Sequence, residues 1–114
     1  MNDSAPSYSE TAPSREEIDA LRGPVLVEFG NDWCGHCRAA APHVAQALRT
    51  HPGVTHLRIA DGRGKRLGRS FAVKLWPTLV FMRDGTEAAR LVRPRSLEPI
   101  ADALATIDKD GDTQ

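Results

Sequence analysis

The chain has 114 residues, of which 40% are hydrophobic and 26% are charged, so its length suits one small globular domain. Fifteen basic and fifteen acidic residues cancel, and this balance gives no indication of binding to nucleic acid or to a membrane surface. No apolar run approaches the ~20 residues of a membrane-spanning helix, and two cysteines are too few for a disulfide framework.

Residues 1–13 are rich in Ser, Pro and Ala and lack the basic start and apolar middle of a signal peptide. We therefore predict a flexible N-terminal tail over 1–13 and a cytoplasmic protein. The folded domain should span 14–107 and begin with a short helix, because Ser14 and Glu17 have the spacing of a capping box. Residues 108–114 should form a flexible C-terminal tail.

The strand predicted over 25–29 is apolar at every position except Glu28, as in a central parallel strand that is buried on both faces. A buried carboxylate is costly unless it is paired or neutral, so we expect a raised pKa for Glu28. The alternative is a carboxylate that reaches solvent at the end of the strand.

The segment Trp33-Cys34-Gly35-His36-Cys37 contains both cysteines and precedes a predicted helix that runs to about residue 50. Cysteines three apart at a helix start lie on one face with Cβ atoms about 5–6 Å apart, so they can form a disulfide or remain a dithiol. The unpaired N–H groups and partial positive charge of the helix terminus should stabilise the Cys34 thiolate. Cys37 lies deeper, so we predict that Cys34 attacks a disulfide and that Cys37 resolves the mixed disulfide. His36 should favour the Cys34 thiolate further, and Gly35 should allow a tight backbone turn between the sulfurs.

Two other roles for the cysteine pair fit the sequence less well. A structural zinc site needs four Cys or His ligands, but the chain has no second cysteine pair and no histidine at finger spacing. A permanent disulfide within one helical turn would close too small a loop to add much stability. The pair is therefore predicted to exchange disulfides without a cofactor or a metal.

The second half of the chain alternates predicted strands and helices. They are a strand over 54–60, a short helix over 67–72, strands over 78–82 and 87–92, and a helix that Ser96 can cap and that ends at Ile107. The basic, glycine-rich loop over 61–69 matches no phosphate-binding motif, and Asp84-Gly85 predicts a hairpin turn. This order indicates an α/β sandwich of three layers, with a central mixed sheet flanked by helices and a first strand that is short or missing.

Residues 25–107 resemble the thioredoxin family, and the Cys-Gly-His-Cys form is similar to the active sites of protein disulfide isomerase domains. The features that carry the resemblance are the cysteine pair after a buried strand, an acid six residues before Cys34, and Pro77 before a later strand. The resemblance implies a thioredoxin-like fold with its site at the carboxyl end of the strand that carries Glu28. It also implies protein disulfides as substrates and a thioredoxin-reductase-like electron donor.

The resemblance also implies roles for single residues. The family keeps a buried acid beneath the second cysteine, so Glu28 is expected to move a proton to or from Cys37. His56 falls where the family often has a lysine facing that acid, and it either contacts Glu28 or lies in solvent. The family's proline opposite the cysteines is cis, which implies a cis Trp76–Pro77 bond and a substrate-binding backbone before Pro77.

Large side chains are expected to border the substrate groove. Trp33 is a predicted substrate contact, and Trp76, where the family has smaller residues, either narrows the groove or gives a partner an aromatic contact. Arg93 stands where the family usually has a glycine, and it belongs either to a basic rim that favours acidic partners or to a solvated loop. The other members of this basic rim would be Arg38, Lys74 and Arg95.

The sequence thus predicts a thiol–disulfide oxidoreductase that acts as a monomeric, cytoplasmic protein-disulfide reductase without nucleic-acid or membrane partners. A cytoplasmic location favours net reduction, whereas His36 favours a more oxidising pair than a proline would give at its position. The alternative is a thioredoxin-like adaptor or chaperone with little turnover, a role that has no need of a tuned thiolate.

Overall fold

The computed structural model describes residues 7–109, so the parts of the predicted tails at 1–6 and 110–114 lie outside the described residues. The elements in chain order are α1 (Arg15–Asp19), β1 (Pro24–Gly30), α2 (Gly35–Leu48), β2 (Thr55–Ala60), α3 (Arg66–Ser70), β3 (Thr78–Arg83), β4 (Thr86–Val92) and α4 (Leu97–Ile107). All the predicted helices and strands are present, with bounds that differ by a few residues. None of the helices within residues 7–109 has the length and apolar character needed to cross a membrane.

The four strands form one mixed sheet in the order β2-β1-β3-β4. β1 pairs in parallel with β2, and the pairs β1–β3 and β3–β4 are antiparallel. The predicted hairpin is confirmed, because Asp84 and Gly85 both have positive φ values, 51° and 82°, as the tight turn between two antiparallel strands requires.

Alternation along β1 divides the core into two sides. Val25 and Phe29 pack on one face of the sheet with residues that include Ile18 of α1. Leu26 packs on the other face with buried residues of α2 and α4. Helices therefore cover both faces, and the predicted three-layer sandwich is confirmed. Because strand side chains alternate between faces, Glu28 lies on the same side as Leu26, beneath α2.

The N-terminal segment packs against the sheet well before the predicted boundary at residue 14. The Ser9 N–H donates to the Arg58 carbonyl and the Ala60 N–H donates to the Ser9 carbonyl, both at 2.8 Å, which forms a single parallel bridge beside β2. Tyr8 is buried, with 5% of its surface exposed. The predicted first strand is thus reduced to one bridge. The packed domain therefore includes Tyr8.

The two predicted serine caps have different outcomes. At α1 the capping box is present, because the Glu17 N–H donates to Ser14 Oγ at 3.1 Å and the Ser14 N–H donates to Glu17 Oε1 at 2.8 Å. Ser96 occupies the N-cap position of α4, but its hydroxyl accepts no bond from the first turn. The predicted capping by Ser96 is therefore wrong.

Candidate active site

The two cysteines lie at the start of α2, just beyond the carboxyl end of β1. Cys34 is the N-cap residue, and its Sγ accepts a hydrogen bond from the Cys37 N–H at 3.3 Å. Both side chains are free thiols, and 8% of Cys34 but only 1% of Cys37 is exposed. The predicted position of the pair and the deeper burial of Cys37 are therefore confirmed.

The surroundings of the two sulfurs differ in their electrostatics. Cys34 Sγ accepts a hydrogen bond from the Cys37 N–H, and N–H groups of the first helical turn, which have no partner within the helix, favour an anion. Burial, followed by the hydrogen bond with Cys34, raises the pKa of Cys37 to about 11. Cys37 therefore keeps its proton near neutral pH.

The two residues between the cysteines are exposed in the first turn of α2. The φ of Gly35 lies outside the left-handed region, and a Cβ on Gly35 would meet no atom within 4 Å. The predicted need for glycine to turn the backbone between the sulfurs is therefore wrong, because this stretch is ordinary helix. The influence of His36 on the Cys34 thiolate stays a prediction.

Glu28 is completely buried beneath α2 and is surrounded by polar side chains. The Tyr8 hydroxyl donates to Glu28 Oε2 at 2.6 Å, and His56 Nε2 lies 2.8 Å from Oε1. The Arg58 guanidinium contacts both carboxylate oxygens at 3.3 Å. The contact with His56, which the sequence left open, is thus present, whereas neither Tyr8 nor Arg58 was predicted as a partner.

These partners decide the charge of the carboxylate. Burial opposes ionisation, but the His56 hydrogen bond, the Arg58 charge and the Tyr8 hydroxyl together hold the pKa of Glu28 below its usual range. The raised pKa expected for Glu28 is therefore wrong. The hydrogen-bond donors and the nearby cation stabilise the carboxylate more than the loss of water destabilises it. Burial and the adjacent Glu28 carboxylate raise the pKa of Tyr8 well above its ordinary value, so its hydroxyl remains a donor.

One missed partner left a signal in the sequence. His56 and Arg58 are two apart on a strand and share one face, and the register of the parallel pair places Glu28 opposite Arg58. If either His56 or Arg58 contacts Glu28, strand alternation therefore predicts that the other one lies on the same face and can contact it too. Tyr8, the only tyrosine of the chain, left no comparable signal, because its place depends on the isolated bridge at Ser9.

An aromatic pair borders the sulfurs. The Trp76–Pro77 bond is cis, as the resemblance implied. The Trp76 ring packs against the cluster that contains both cysteines, and its Nε1 donates to Asp61 Oδ2 at 2.8 Å. Trp33, which is 70% exposed, meets Trp76 edge to face with ring centroids 5.6 Å apart. The Trp76 ring is thus held beside the thiols by its hydrogen bond to Asp61, and the exposed ring of Trp33 lies next to it.

Arg93 is held against the backbone of the cis proline. Its N–H donates to the Pro77 carbonyl at 2.9 Å, and its Nε donates to the Trp76 carbonyl at 2.8 Å. It adopts a positive φ of 53°, in the left-handed region that favours glycine. Arg93 therefore lies at the site, while the basic rim as a whole stays a prediction. The other proposed members of that rim are exposed: Arg38, Lys74 and Arg95.

Within residues 7–109, no group of three or more His, Cys, Asp or Glu side chains is arranged to hold a metal ion. The polar groups near the cysteines are instead arranged around the Glu28 carboxylate. The chemistry available to this site is that of two thiols, one buried carboxylate and the donors that surround it.

Comparison with known proteins gives a consistent picture. A family model described as Thioredoxin matches residues 8–106. The chain is 41% identical to Thioredoxin C-3 of Corynebacterium nephridii over 68 residues, which cover 60% of this chain and 47% of that protein. It is also 41% identical to human protein disulfide-isomerase A2 over 86 residues, or 70% of this chain and 16% of that protein. The chain thus spans about half the length of the first of these relatives, and much less of the second.

Solved structures support the same relationship. The fold superposes on thioredoxin 2 from Pseudomonas aeruginosa PAO1, in its reduced form, with a TM-score of 0.83 and 55% sequence identity. This similarity covers 93% of the present chain and 98% of the other. The similarity therefore extends over nearly the whole chain.

Proposed function

The chain belongs to the thioredoxin family, and on that premise we propose that it is a cytoplasmic protein-disulfide reductase. The observation that carries this proposal is the pair of free thiols at the start of α2, of which Cys34 is 8% exposed and Cys37 only 1%. A thioredoxin-reductase-like protein would return electrons to the pair. The cytoplasmic location is part of the proposal, because it sets the redox potential against which the direction of exchange is judged.

The proposed reaction is a two-step exchange. The Cys34 thiolate forms a bond with one sulfur of a substrate disulfide, and the other substrate sulfur leaves as a thiolate. Cys37 then loses its proton and attacks Cys34 Sγ, so the mixed disulfide breaks and the second substrate thiolate departs. The substrate gains two electrons, the protein becomes a Cys34–Cys37 disulfide, and the proton from Cys37 passes to Glu28.

Substrate contacts are proposed along the groove beside the sulfurs. The backbone before Pro77 would pair with an extended substrate segment, and the exposed ring of Trp33 would contact its apolar side chains. Support comes from the position of Trp76 against the cysteine cluster and from the exposure of Trp33.

The direction of exchange can be tested by equilibrating the protein with glutathione mixtures and measuring the fraction of the Cys34–Cys37 disulfide. We expect a reduction potential more negative than about −240 mV, near the cytoplasmic glutathione value, so that the dithiol reduces substrates there. In parallel, reduced protein mixed with insulin should lose two thiols for every substrate disulfide that it opens.

A potential well above that of glutathione would reverse the direction and indicate an oxidant, with thiol exchange itself intact. Insulin binding without loss of protein thiols would instead support the adaptor alternative. The two measurements therefore separate an error in the direction of exchange from an error in the class of function.

Arg93 gives a testable expectation about substrate charge. We propose that Arg93 favours acidic substrates, because its guanidinium lies at the Trp76 carbonyl beside the groove. Arg93→Gly should lower kcat/KM for an acidic disulfide peptide about fivefold at low salt, and the difference should fade as added salt screens the charge. Glycine suits the positive φ at this position, so the backbone should keep its shape.

The matched control is Arg63→Gly, which removes an identical charge from an exposed loop position that is not a member of the proposed basic rim. We expect kcat/KM of that variant to stay within about twofold of the wild-type value, since a solvated charge outside the groove contributes little. Equal loss in the two variants, or no salt dependence in either, would show that Arg93 has no special role in substrate choice.

A further inference from the structure

Tyr8 lies between the deeper sulfur and the buried acid. A Cβ placed on Gly30 would be 2.6 Å from Cys37 Sγ and 2.8 Å from the Tyr8 hydroxyl oxygen, so both atoms border the same small space. Tyr8 and Cys37 also belong to one buried cluster. On its other side the Tyr8 hydroxyl is 2.6 Å from Glu28 Oε2. The hydroxyl is therefore bonded to the group that would receive the proton and borders the same space as the group that must lose it.

The direction of the hydrogen bonds follows from the charges. Glu28 is ionised and can only accept, so the Tyr8 hydroxyl donates its proton to Oε2. The hydroxyl oxygen keeps lone pairs that can accept the Cys37 S–H. When Cys37 ionises, the Tyr8 hydroxyl can donate to the thiolate, and this interaction lowers the pKa of Cys37 against the larger opposing effect of burial.

We propose that the Tyr8 hydroxyl is the proton relay through which Glu28 deprotonates Cys37 in the resolving step, a refinement that rests on the proposed function. As Cys37 Sγ bonds to Cys34 Sγ, the Cys37 proton moves to the Tyr8 oxygen and the Tyr8 proton moves to Glu28 Oε2. The bond between Cys34 and the substrate sulfur breaks, and the substrate leaves as a thiolate. Tyr8 ends the step as a neutral hydroxyl, so it is not consumed.

Glu28 can pass the proton onward by its second oxygen. His56 Nε2 lies 2.8 Å from Oε1, and 21% of the His56 side chain is exposed. A cavity of about 210 Å³ between α2 and β2 is lined by Glu28 and His56. The chain from Cys37 through Tyr8 and Glu28 to His56 therefore connects a buried sulfur with the protein surface.

Other charged and titratable groups face the relay from each neighbouring element. Arg58 of β2 lies over the Tyr8 ring at 3.9 Å, and Asp32 Oδ1 accepts the Tyr8 backbone N–H at 3.1 Å. Cys34 lies beside Cys37 at the start of α2. Phenylalanine at position 8 would keep the ring over Arg58 and would remove only the hydroxyl, so Tyr8→Phe tests the relay rather than the packing.

The experiment follows the two steps separately with a disulfide that releases coloured thionitrobenzoate. In the reduced wild-type protein, attack by Cys34 releases the first thionitrobenzoate and resolution by Cys37 releases the second. In Tyr8→Phe, we expect the first release to stay within about twofold of wild type and the second to slow about tenfold at pH 7. The pH profile of the second release should also move to higher pH, and NMR titration of labelled Cys37 should move in the same direction.

Ser9→Ala is the control, because it also removes a hydroxyl from the N-terminal segment. Among the described residues, the Ser9 hydroxyl forms hydrogen bonds only with Thr11. Both releases should match wild type in this variant. A second release in Tyr8→Phe that equals wild type at every pH, or equal slowing of both releases, would overturn the relay while leaving the exchange function intact. A wild-type protein that gives no release at all would overturn the proposed function, and the relay with it.

Discussion

Replacement of Cys34 with serine is expected to reduce insulin-disulfide reduction to the uncatalysed background, a loss of at least about 10⁴-fold. The reason is chemical, because a serine hydroxyl does not attack a disulfide sulfur at neutral pH. The fold should persist, since a serine oxygen at the N-cap can accept the bond that Cys34 Sγ now accepts from the Cys37 N–H. The measurement is the rate of insulin reduction with dithiothreitol as electron donor.

Cys37→Ser is the matched variant, since it removes the other sulfur and leaves the attacking one. It should retain the first step and accumulate a covalent mixed disulfide with the substrate at Cys34, which mass spectrometry of the acid-quenched reaction would detect. A trapped mixed disulfide in Cys34→Ser but not in Cys37→Ser would assign the attack to Cys37. That result would contradict the order of steps inferred from the burial of the two sulfurs.

Features set by neighbouring residues in the chain were predictable from sequence. The Ser14–Glu17 capping box and the Asp84-Gly85 hairpin each depend on a few adjacent positions, and both are present. The helix start at the cysteine pair is a local feature of the same kind. The three-layer sandwich followed from the order of these elements together with the family resemblance.

Features set by contacts between distant segments were predictable only in part. The pKa shift of Glu28 was predicted in the wrong direction. The strand pattern indicated that Glu28 is buried, but two of its hydrogen-bond donors, Tyr8 and Arg58, lie on other segments. Tyr8 was assigned to a tail because no local periodicity shows that Ser9 bridges to the edge of β2. The side chain of Arg93 shows the same limit, since its bond to the Trp76 carbonyl joins two loops.

The functional consequence is that Glu28 is ionised, whereas the sequence predicted a carboxyl group with a raised pKa. A neutral Glu28 would hold a proton to give, whereas the ionised Glu28 found here is ready to receive one. During substrate reduction Cys37 has to lose a proton, so an ionised acid in contact through Tyr8 favours the direction proposed for this protein. The cluster that sets this charge also joins two strands, since Glu28 lies on β1 while His56 and Arg58 lie on β2.

Glu28→Gln should therefore destabilise the protein by about 3 kcal/mol at pH 7, or lower Tm by about 15 °C. The amide keeps the size of the carboxylate, but its NH2 group offers no acceptor, so the buried guanidinium of Arg58 loses a charged partner. Urea unfolding followed by fluorescence of Trp33 and Trp76 would measure the difference in the free energy of unfolding.

The pH dependence of that difference tests its electrostatic origin. Because the folded-state pKa of Glu28 lies below its ordinary value of 4.5, the carboxylate contributes its full stabilisation above that pH and loses it as the pH falls through the folded pKa. The difference in the free energy of unfolding between wild type and Glu28→Gln should thus be constant from neutral pH down to about pH 5 and shrink in more acidic solution.

Glu87→Gln is the control, since it makes an identical change in the partly exposed Glu87–Arg90 pair and should cost about 0.5 kcal/mol. Equal losses of stability in the two variants would mean that the buried cluster does not hold a stabilising charge. A difference between wild type and Glu28→Gln that stays constant in acid would mean the same.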